Sequence, residues 1–217
     1  MSERLPAPEA GRFPSLAKAH VKVLPAGILL GRIHAQGGSY PTSWDGFRCY
    51  GPTPSRFDHH PPPRRVHPTR AVLYAAPRLQ RAAVLETCLL ECFQVRRVIE
   101  LSRDDPYFVL FRTTRPVRLL DVADSNWVAR AGGNGAISAG LRSTARDWSR
   151  AIYRTYPDID GVYFSCSLNP AARSVVLYER AVSAMPRRPD GHWPLSHPAL
   201  RAELEVYASS FALGLVP

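Results

Sequence analysis

Residues 71–93, AVLYAAPRLQRAAVLETCLLECF, carry the clearest fold signal in the chain. Residues 71–75 form a short apolar run that predicts a largely buried strand. Pro77 follows at a position where helices often begin, and residues 78–93 are rich in strong helix formers. A buried strand followed by a helix indicates a fold in which helices pack on a sheet.

The segments on either side add short strands and a few helices without regular alternation. Thr144 with Asp147 resembles a capping box and predicts a helix that ends before Pro157. An amphipathic helix is predicted over about 199–213. Apolar runs predict strands at 28–34, 107–111, 117–122, 162–164 and 174–178. The pattern indicates an α+β class, with short strands and several helices in one compact domain.

Length and composition favour a single domain. The chain has 217 residues, of which 45% are hydrophobic, and this excludes a fully disordered protein. Residues 1–20 show no clear period and are predicted to form an extended tail before a domain that covers 21–217 and includes the C-terminal helix. Seven of the 21 prolines fall between 41 and 68, which predicts a long surface loop. A loop of that length is more often functional than idle.

The net charge of +10 comes almost entirely from arginine, because only Lys18 and Lys22 are lysines. Arginine suits bidentate binding of phosphate or carboxylate, although a GC-rich genome produces the same bias. The sequence contains no basic helix, zinc finger or aromatic RNA motif, so direct nucleic-acid binding is not expected. A non-catalytic basic module that binds nucleic acid through charge alone stays open as an alternative.

Cysteine spacing and hydropathy indicate a cytoplasmic protein with free thiols. The four cysteines lie far apart, and no apolar run has the length of a signal peptide or of a membrane span. No metal site is expected, because His59, His60 and His67 lack a matching CxxC pair and Cys88 with Cys92 lacks a second half. Residues 132–135, Gly-Gly-Asn-Gly, are not followed by Lys-Ser/Thr and are predicted to form a flexible connection or lid.

Glu86 is the candidate catalytic carboxylate. It interrupts an otherwise apolar helical stripe formed by Leu79, Ala82, Leu90 and Phe93. A carboxylate on a buried face is costly unless it is paired or used in catalysis. The alternative is a glutamate at the edge of the stripe with its head in water. Glu91, on another side of the same helix, serves as the comparison.

Arg32, Arg56 and Tyr74 are candidate binding residues. Arg32 lies inside an apolar strand, where a guanidinium needs a cleft, an acid, a phosphate or an edge exposed to water. Arg56 lies in the proline-rich loop, where Asp58 is a possible partner. Tyr74 belongs to the apolar strand at 71–75 and is either a core tyrosine or a platform for a ligand.

The order of these pieces resembles the RES domain family, which is named for an Arg, a Glu and a Ser. The resemblance covers about 30–181. The matching pieces are Arg32-Ile33-His34, Ser55-Arg56-Phe57-Asp58, Leu73-Tyr74-Ala75-Ala76, Ala83-Val84-Leu85-Glu86, Trp148-Ser149-Arg150-Ala151-Ile152, Asp160-Gly161-Val162-Tyr163-Phe164-Ser165-Cys166, Asn169-Pro170 and Leu177-Tyr178-Glu179-Arg180-Ala181.

The resemblance implies a fold similar to that of ADP-ribosyltransferase toxins, with a cleft for NAD. It implies cleavage of the nicotinamide–ribose bond by phosphorolysis or hydrolysis, or transfer of ADP-ribose to a protein. NAD is then the substrate, inorganic phosphate a possible co-substrate, and no further cofactor is expected. The implied partner is a helix-turn-helix antitoxin that neutralises a toxin, with a homodimer possible inside that complex.

The resemblance also implies roles for particular residues. Glu86, Arg32 and Arg56 are the expected catalytic residues, and the two arginines with Tyr74 are expected to bind NAD. Counted from Gly161, the family serine falls on Cys166. Either a thiol replaces the hydroxyl there, or the register shifts by one to Ser167, so both are candidates for binding NAD. Ser55 stands where the family usually has glycine before the second arginine.

Overall fold

A computed structural model describes residues 4–79 and 83–217. The strands are β1 Val21–Leu24, β2 Leu29–Ala35, β3 Tyr50–Gly51, β4 Arg65–Val66, β5 Val72–Pro77, β6 Val98–Glu100, β7 Pro106–Arg112, β8 Val117–Asp121, β9 Gly161–Ser165, β10 Arg173–Tyr178, β11 Gly191–Pro194 and β12 Gly214–Val216. The α-helices are α1 Val84–Phe93, α2 Trp127–Arg130, α3 Ala136–Ala139, α4 Arg142–Thr155 and α5 Arg201–Ser210. The predicted α+β class is confirmed.

The framework is an eight-stranded mixed sheet with the order β1-β8-β9-β10-β5-β2-β7-β11. The β8–β9 pair is parallel, and the other neighbours within the sheet are antiparallel. The strands predicted from apolar runs correspond to β2, β5, β7, β8, β9 and β10. All six lie in this sheet, so the apolar runs identified most of its strands.

The first helix begins later than the sequence predicts. Pro77 is the last residue of β5, because β5 continues its pairing with β2 through Ala76 and Pro77. The Arg78 amide then donates to the Leu29 carbonyl, which holds the chain extended. Residues 80–82, including Ala82 of the predicted stripe, lie outside the described residues. Within the described chain, α1 covers only Val84–Phe93.

The capping box predicted at Thr144 was wrong. The N-cap of α4 is Leu141, whose carbonyl accepts the first helical hydrogen bond from the Ala145 amide at 3.1 Å. Thr144 therefore lies inside the first turn of the helix, which begins at Arg142. Because the helix starts earlier than predicted, Arg142 is its first residue, and the Arg142 side chain lines a cleft.

Helix α1 packs very closely on β2. An added Cβ at Gly31 would lie 2.3 Å from Val84 Cγ1, so only glycine fits beneath the start of the helix. The helix buries Leu85, Cys88 and Leu89 against a cluster that also includes Phe108. Helix α1 thus lies across β2 and β5 of the sheet.

The described part of the N-terminal segment, residues 4–20, packs on the domain. Leu5 is 3% exposed, and the Pro6 carbonyl accepts a hydrogen bond from Trp148 Nε1 at 2.8 Å. The Phe13 ring stacks on Trp148 with a centroid distance of 5.4 Å and meets the edge of Trp127 at 5.1 Å. The segment therefore completes a wall of the aromatic core around Trp127 and Trp148.

Removal of the Phe13 ring should destabilise the protein. We expect Phe13→Ala to lower the free energy of unfolding by about 2 kcal/mol, because a partly buried aromatic loses its apolar contacts. Tyr40→Ala is the control, since Tyr40 is 85% exposed and its loss should cost less than about 0.5 kcal/mol. Equal urea-unfolding midpoints for Phe13→Ala and the wild type would show that the segment adds nothing to the core.

The loop at 41–68 is held together by Asp58. The buried Asp58 carboxylate pairs with Arg48 Nη2 at 3.0 Å and accepts from the Thr53 amide at 2.7 Å. It also lies 2.5 Å from His60 Nδ1. Because these groups use its oxygens, Asp58 is not the partner of Arg56.

The remaining sequence features have plain structural surroundings. His60 and His67 hydrogen-bond to the Arg70 and Gly51 carbonyls, and the four cysteines are free thiols. Across residues 4–79 and 83–217, no set of three or more His, Cys, Asp or Glu side chains is arranged to bind a metal. Within the same ranges, no helix has both the length and the apolar character needed to cross a bilayer.

Candidate active site

A cleft of about 350 Å³ opens where the proline-rich loop, the end of α1, the start of α4 and the end of β9 meet. We refer to it as the arginine cleft. Its lining residues are Pro54, Ser55, Arg56, Tyr74, Glu91, Cys92, Gln94, Val95, Arg142, Phe164, Ser165 and Ser167. Three residues predicted from the sequence, Arg56, Tyr74 and Ser167, thus lie together in one cleft.

An inner pocket of about 50 Å³ adjoins the arginine cleft. The two share Tyr74, Glu91 and Cys92, and the inner pocket adds Arg32 from β2 and Ser174 from β10. The strand order brings these residues together, because β5 lies between β10 and β2 in the sheet. Arg32 is therefore placed behind Tyr74 and Glu91, on the side of the sheet covered by α1.

Two arginines face the arginine cleft. Arg56 Nη1 donates to the Gly140 carbonyl at 2.7 Å, which fixes the guanidinium at the link between α3 and α4. Desolvation lowers the pKa of Arg56, and the nearby positive charge of Arg142 lowers it further. Two like charges in a partly desolvated cleft attract an anion such as a phosphate group.

Arg32 is anchored on one side and free on the other. Its Nη1 donates to the Trp44 and Gly46 carbonyls at 3.1 Å each. Burial lowers the pKa of Arg32 to about 10, so the guanidinium stays charged at neutral pH. Its Nε atom is buried and has no hydrogen-bond partner among the described residues.

The inner pocket contains three such polar atoms, namely Arg32 Nε, the Tyr74 hydroxyl and Ser174 Oγ. Buried polar atoms without partners are rare and costly, and they need a structural or functional reason. Burial also raises the pKa of the Tyr74 hydroxyl, so Tyr74 is a neutral donor. These atoms give the inner pocket a polar lining that suits a small polar ligand.

The carboxylate that lines both pockets belongs to Glu91. Desolvation raises the pKa of Glu91 above its ordinary value, against the opposing effects of Cys166 and of the Arg56 charge. Gln94 Nε2 donates to Glu91 Oε2 at 3.3 Å. Glu91 is thus partly buried, positioned by a neighbour and close to a cation.

Glu86 lies outside both pockets. Its Oε1 accepts a hydrogen bond from Asn169 Nδ2 at 2.8 Å. Five residues of helix rotate the side chain of Glu91 well away from the direction of Glu86. The partner of the Glu86 carboxylate is therefore Asn169. The carboxylate that lines the arginine cleft belongs to Glu91, which served only as the comparison in the sequence.

Cys166 and Ser167 occupy different surroundings. Cys166 is 1% exposed, and burial together with the Glu91 charge raises the pKa of its thiol to about 12. The thiol is therefore neutral at physiological pH and is not a nucleophilic thiolate. Ser167 lines the arginine cleft and donates its hydroxyl hydrogen bond to Gln94 Oε1 at 2.7 Å. Glu91, Gln94 and Ser167 thus form one connected polar network.

Besides Glu91, sequence reasoning missed Arg142 and Ser174. Arg142 precedes the predicted start of α4 at Thr144, so it was not considered as a helix residue. An arginine in the first turn of that helix would have been a usable signal. Ser174 stands in an apolar strand, the residue is 2% exposed, and its hydroxyl makes no hydrogen bond of ordinary geometry with the described residues. A lone serine in such a strand carries no distinctive sequence pattern.

A family model for the RES domain matches residues 29–197. This range covers more than half of the chain and includes every residue that lines the arginine cleft and the inner pocket. The chain belongs to the RES domain family. Among curated proteins, no sequence gives a significant match.

The RES domain of this chain also has a structural relative. It is similar to a chain in the crystal structure of the M. tuberculosis MbcT–MbcA toxin–antitoxin complex, with a TM-score of 0.54 and 14% sequence identity. The alignment covers 91% of this chain and 96% of that chain. The two chains therefore share a fold over nearly their whole lengths.

Proposed function

We propose that this RES domain cleaves NAD at the nicotinamide–ribose bond and passes ADP-ribose to phosphate or water. The observation that supports the proposal most strongly is the meeting of the Glu91 carboxylate, the arginine pair and the polar inner pocket in one site. Membership of the RES domain family supports an NAD-related activity.

The reaction breaks the bond between C1′ of the ribose and the ring nitrogen of nicotinamide. The electron pair of that bond goes to the nitrogen, so the positively charged ring leaves as neutral nicotinamide. Positive charge develops on the ribose, and the Glu91 carboxylate is placed to stabilise it. An oxygen of water or phosphate then bonds to C1′, and when the acceptor is water, its proton passes to Glu91 and on to solvent.

The diphosphate of NAD fits the arginine pair. Arg56 is anchored by the Gly140 carbonyl, and Arg142 has no ion-pair partner among the described residues that line the cleft. Charge-assisted hydrogen bonds from guanidinium groups to phosphate are strong and directional. Binding the diphosphate at one fixed place would hold the reacting ribose against Glu91.

The inner pocket fits a small acceptor. Its volume of about 50 Å³ is enough for a few water molecules or one small oxyanion. Arg32 Nε, the Tyr74 hydroxyl and Ser174 Oγ would donate to the acceptor oxygens. The polar lining of this pocket suits water or phosphate as the acceptor, and transfer to protein stays the second candidate because it uses the same cleft.

The biological role that we propose is that of a toxin acting in the cytoplasm, where a helix-turn-helix antitoxin neutralises it. The shared fold with a chain of a toxin–antitoxin complex supports such a partner. A homodimer within the complex stays a prediction from the family resemblance.

Many of the arginines pair with carboxylates of the same chain, several of them at the surface. Several arginines form ion pairs with nearby carboxylates, including Arg48, Arg96, Arg103, Arg112, Arg115, Arg150, Arg173, Arg180 and Arg201. These ion pairs compensate much of the arginine charge locally, which weakens the case for a basic module that binds nucleic acid through charge alone. Measurements of DNA and RNA binding at physiological salt would test that alternative.

Purified protein, separated from any bound partner by denaturation and refolding, should release nicotinamide from NAD. The products identify the acceptor: ADP-ribose indicates water, ADP-ribose 1″-phosphate indicates phosphate, and labelled protein bands in cell extract indicate transfer to protein. Reactions in phosphate and in phosphate-free buffer give the first two outcomes. Failure to release nicotinamide in either buffer, by protein with a native circular dichroism spectrum, would refute the proposed function.

A further inference from the structure

A second cleft of about 400 Å³ adjoins the arginine cleft. Ser165 and Ser167 line both, so the two clefts meet at the end of β9. The other lining residues of the second cleft are Val122, Ala123, Ser125, Val128, Ala129, Asn134, Gly135, Ile137, Ser138, Ala139, Cys166 and Pro170. Residues 132–135, predicted to be a flexible connection, lie between α2 and α3, and Asn134 and Gly135 line the second cleft.

The two clefts differ in charge. The arginine cleft contains Arg56, Arg142 and Glu91, whereas no charged side chain is found among the residues that line the second cleft. Apolar groups from α2, α3 and the end of β8 form most of its walls. A cleft of this kind suits a neutral aromatic ring and does not suit a phosphate group.

The segment at 136–142 connects the two clefts. Its first residues form α3 and line the second cleft, the Gly140 carbonyl receives the hydrogen bond from Arg56, and Arg142 follows in the arginine cleft. A diphosphate bound by Arg56 and Arg142 would lie in the same cleft as Glu91 and next to the second cleft. The arrangement matches a dinucleotide, in which a diphosphate separates two nucleosides.

We propose that the second cleft binds the adenosine half of NAD, an inference that rests on the proposed function. The adenine ring packs against Ala129 of α2 and Ala139 of α3, both of which are exposed to solvent in the unliganded cleft. The Ser138 hydroxyl makes no hydrogen bond within the described residues and is available to the nucleoside. The site thereby selects a dinucleotide over nicotinamide mononucleotide, which carries the same scissile bond and no adenosine.

The test fills the second cleft and compares the two substrates. We expect wild-type kcat/KM for NAD to exceed that for nicotinamide mononucleotide by at least about tenfold, and Ala139→Phe to reduce this ratio by at least about tenfold. Ala129→Phe blocks the cleft from the other helix and should act in the same direction. Ala202→Phe is the matched control, since Ala202 is exposed on α5 and lines neither cleft, and its ratio should equal that of the wild type.

A binding measurement separates failure of this inference from failure of the proposed function. Calorimetry with ADP-ribose should show binding to the wild type and to Ala202→Phe, and at least about tenfold weaker binding to Ala139→Phe. If the wild type cleaves NAD while neither Phe variant changes the ratio or the ADP-ribose affinity, the adenosine site is refuted and the activity stands. If the wild type releases no nicotinamide, loss of ADP-ribose binding in the Phe variants still supports the site, and no binding by the wild type refutes it.

Discussion

Glu91→Gln is expected to reduce kcat for nicotinamide release from NAD by about 10³-fold, with a change of only a few-fold in KM. The substitution keeps the size and the hydrogen bond to Gln94 and removes only the charge. That charge acts mainly in the transition state, when the ribose becomes positive, so the loss appears in kcat. Stopped-time assays of nicotinamide over a range of NAD concentrations separate the two constants.

Two further readouts show whether the effect is chemical. Because desolvation raises the pKa of Glu91, protonation in acid should switch off the wild type at a pH above the ordinary glutamate range, and Glu91→Gln should lack this acidic limb. The same desolvation means that the ionised carboxylate destabilises the fold, so Glu91→Gln should be at least as stable as the wild type. A variant that lost activity together with stability would indicate a structural role for Glu91.

Glu86→Gln is the matched control on the same helix. Its amide can still accept the hydrogen bond from Asn169, and the side chain lines neither the arginine cleft nor the inner pocket. We expect kcat within about threefold of the wild type, as for substitutions away from a site. If Glu86→Gln were inactive and Glu91→Gln active, the sequence-based choice of Glu86 would be correct and the cleft assignment wrong.

Arg56→Ala is expected to lower kcat/KM by about 10²-fold, mainly through a higher KM. The variant loses a charge-assisted contact with the diphosphate and also the anchor at the Gly140 carbonyl. Arg142→Ala should cost about tenfold, because its guanidinium has no comparable anchor to lose. Steady-state kinetics with NAD measures both effects.

Arg118→Ala controls for the change in net charge. Arg118 is exposed on β8 and lines neither pocket of the candidate site, so its removal lowers the charge of the protein by the same amount as the cleft variants. We expect kcat/KM within about twofold of the wild type at moderate salt, because distant surface charges are screened. An equal loss of activity in all three variants would mean that overall charge, and not the arginine pair, attracts the substrate.

The sequence predicted the sheet better than the helix ends. Apolar runs identified strands such as β5 and β10 because a strand buried in a sheet needs several consecutive apolar residues. The start of α1 depended on how far β5 continued its pairing with β2, which is a tertiary contact. The start of α4 was misplaced for a local reason, because the helix begins on the Leu141 carbonyl, and leucine is not a residue type that marks an N-cap in a sequence.

The site residues were only partly predictable, and Glu91 shows why. Glu86 was singled out on the assumption that only one face of α1 meets the core. In the structure, buried residues lie on several sides of this short helix. On such a helix the wheel does not distinguish a glutamate that meets an asparagine from one that meets a cleft. Arg56 and Tyr74 were candidates from their places in the proline-rich loop and the apolar strand, and Ser167 became one only through the RES resemblance; all three line the arginine cleft.

The family serine position illustrates a different limit. Counting along β9 left Cys166 and Ser167 as alternatives, and the structure gives them distinct surroundings. Cys166 is a buried neutral thiol near Glu91, and Ser167 joins the polar network through Gln94 at the junction of the two clefts. The different surroundings of Cys166 and Ser167 depend on the direction of each side chain just after β9. The motif alone does not define these directions.

Nicotinamide release from NAD, followed by proton NMR with wild-type protein and Glu91→Gln side by side, tests the central claim most directly. The account predicts steady release by the wild type, formation of ADP-ribose or ADP-ribose 1″-phosphate in equal amount, and about 10³-fold slower release by Glu91→Gln. Intact NAD after prolonged incubation with folded wild-type protein, or equal rates for the two proteins, would contradict it.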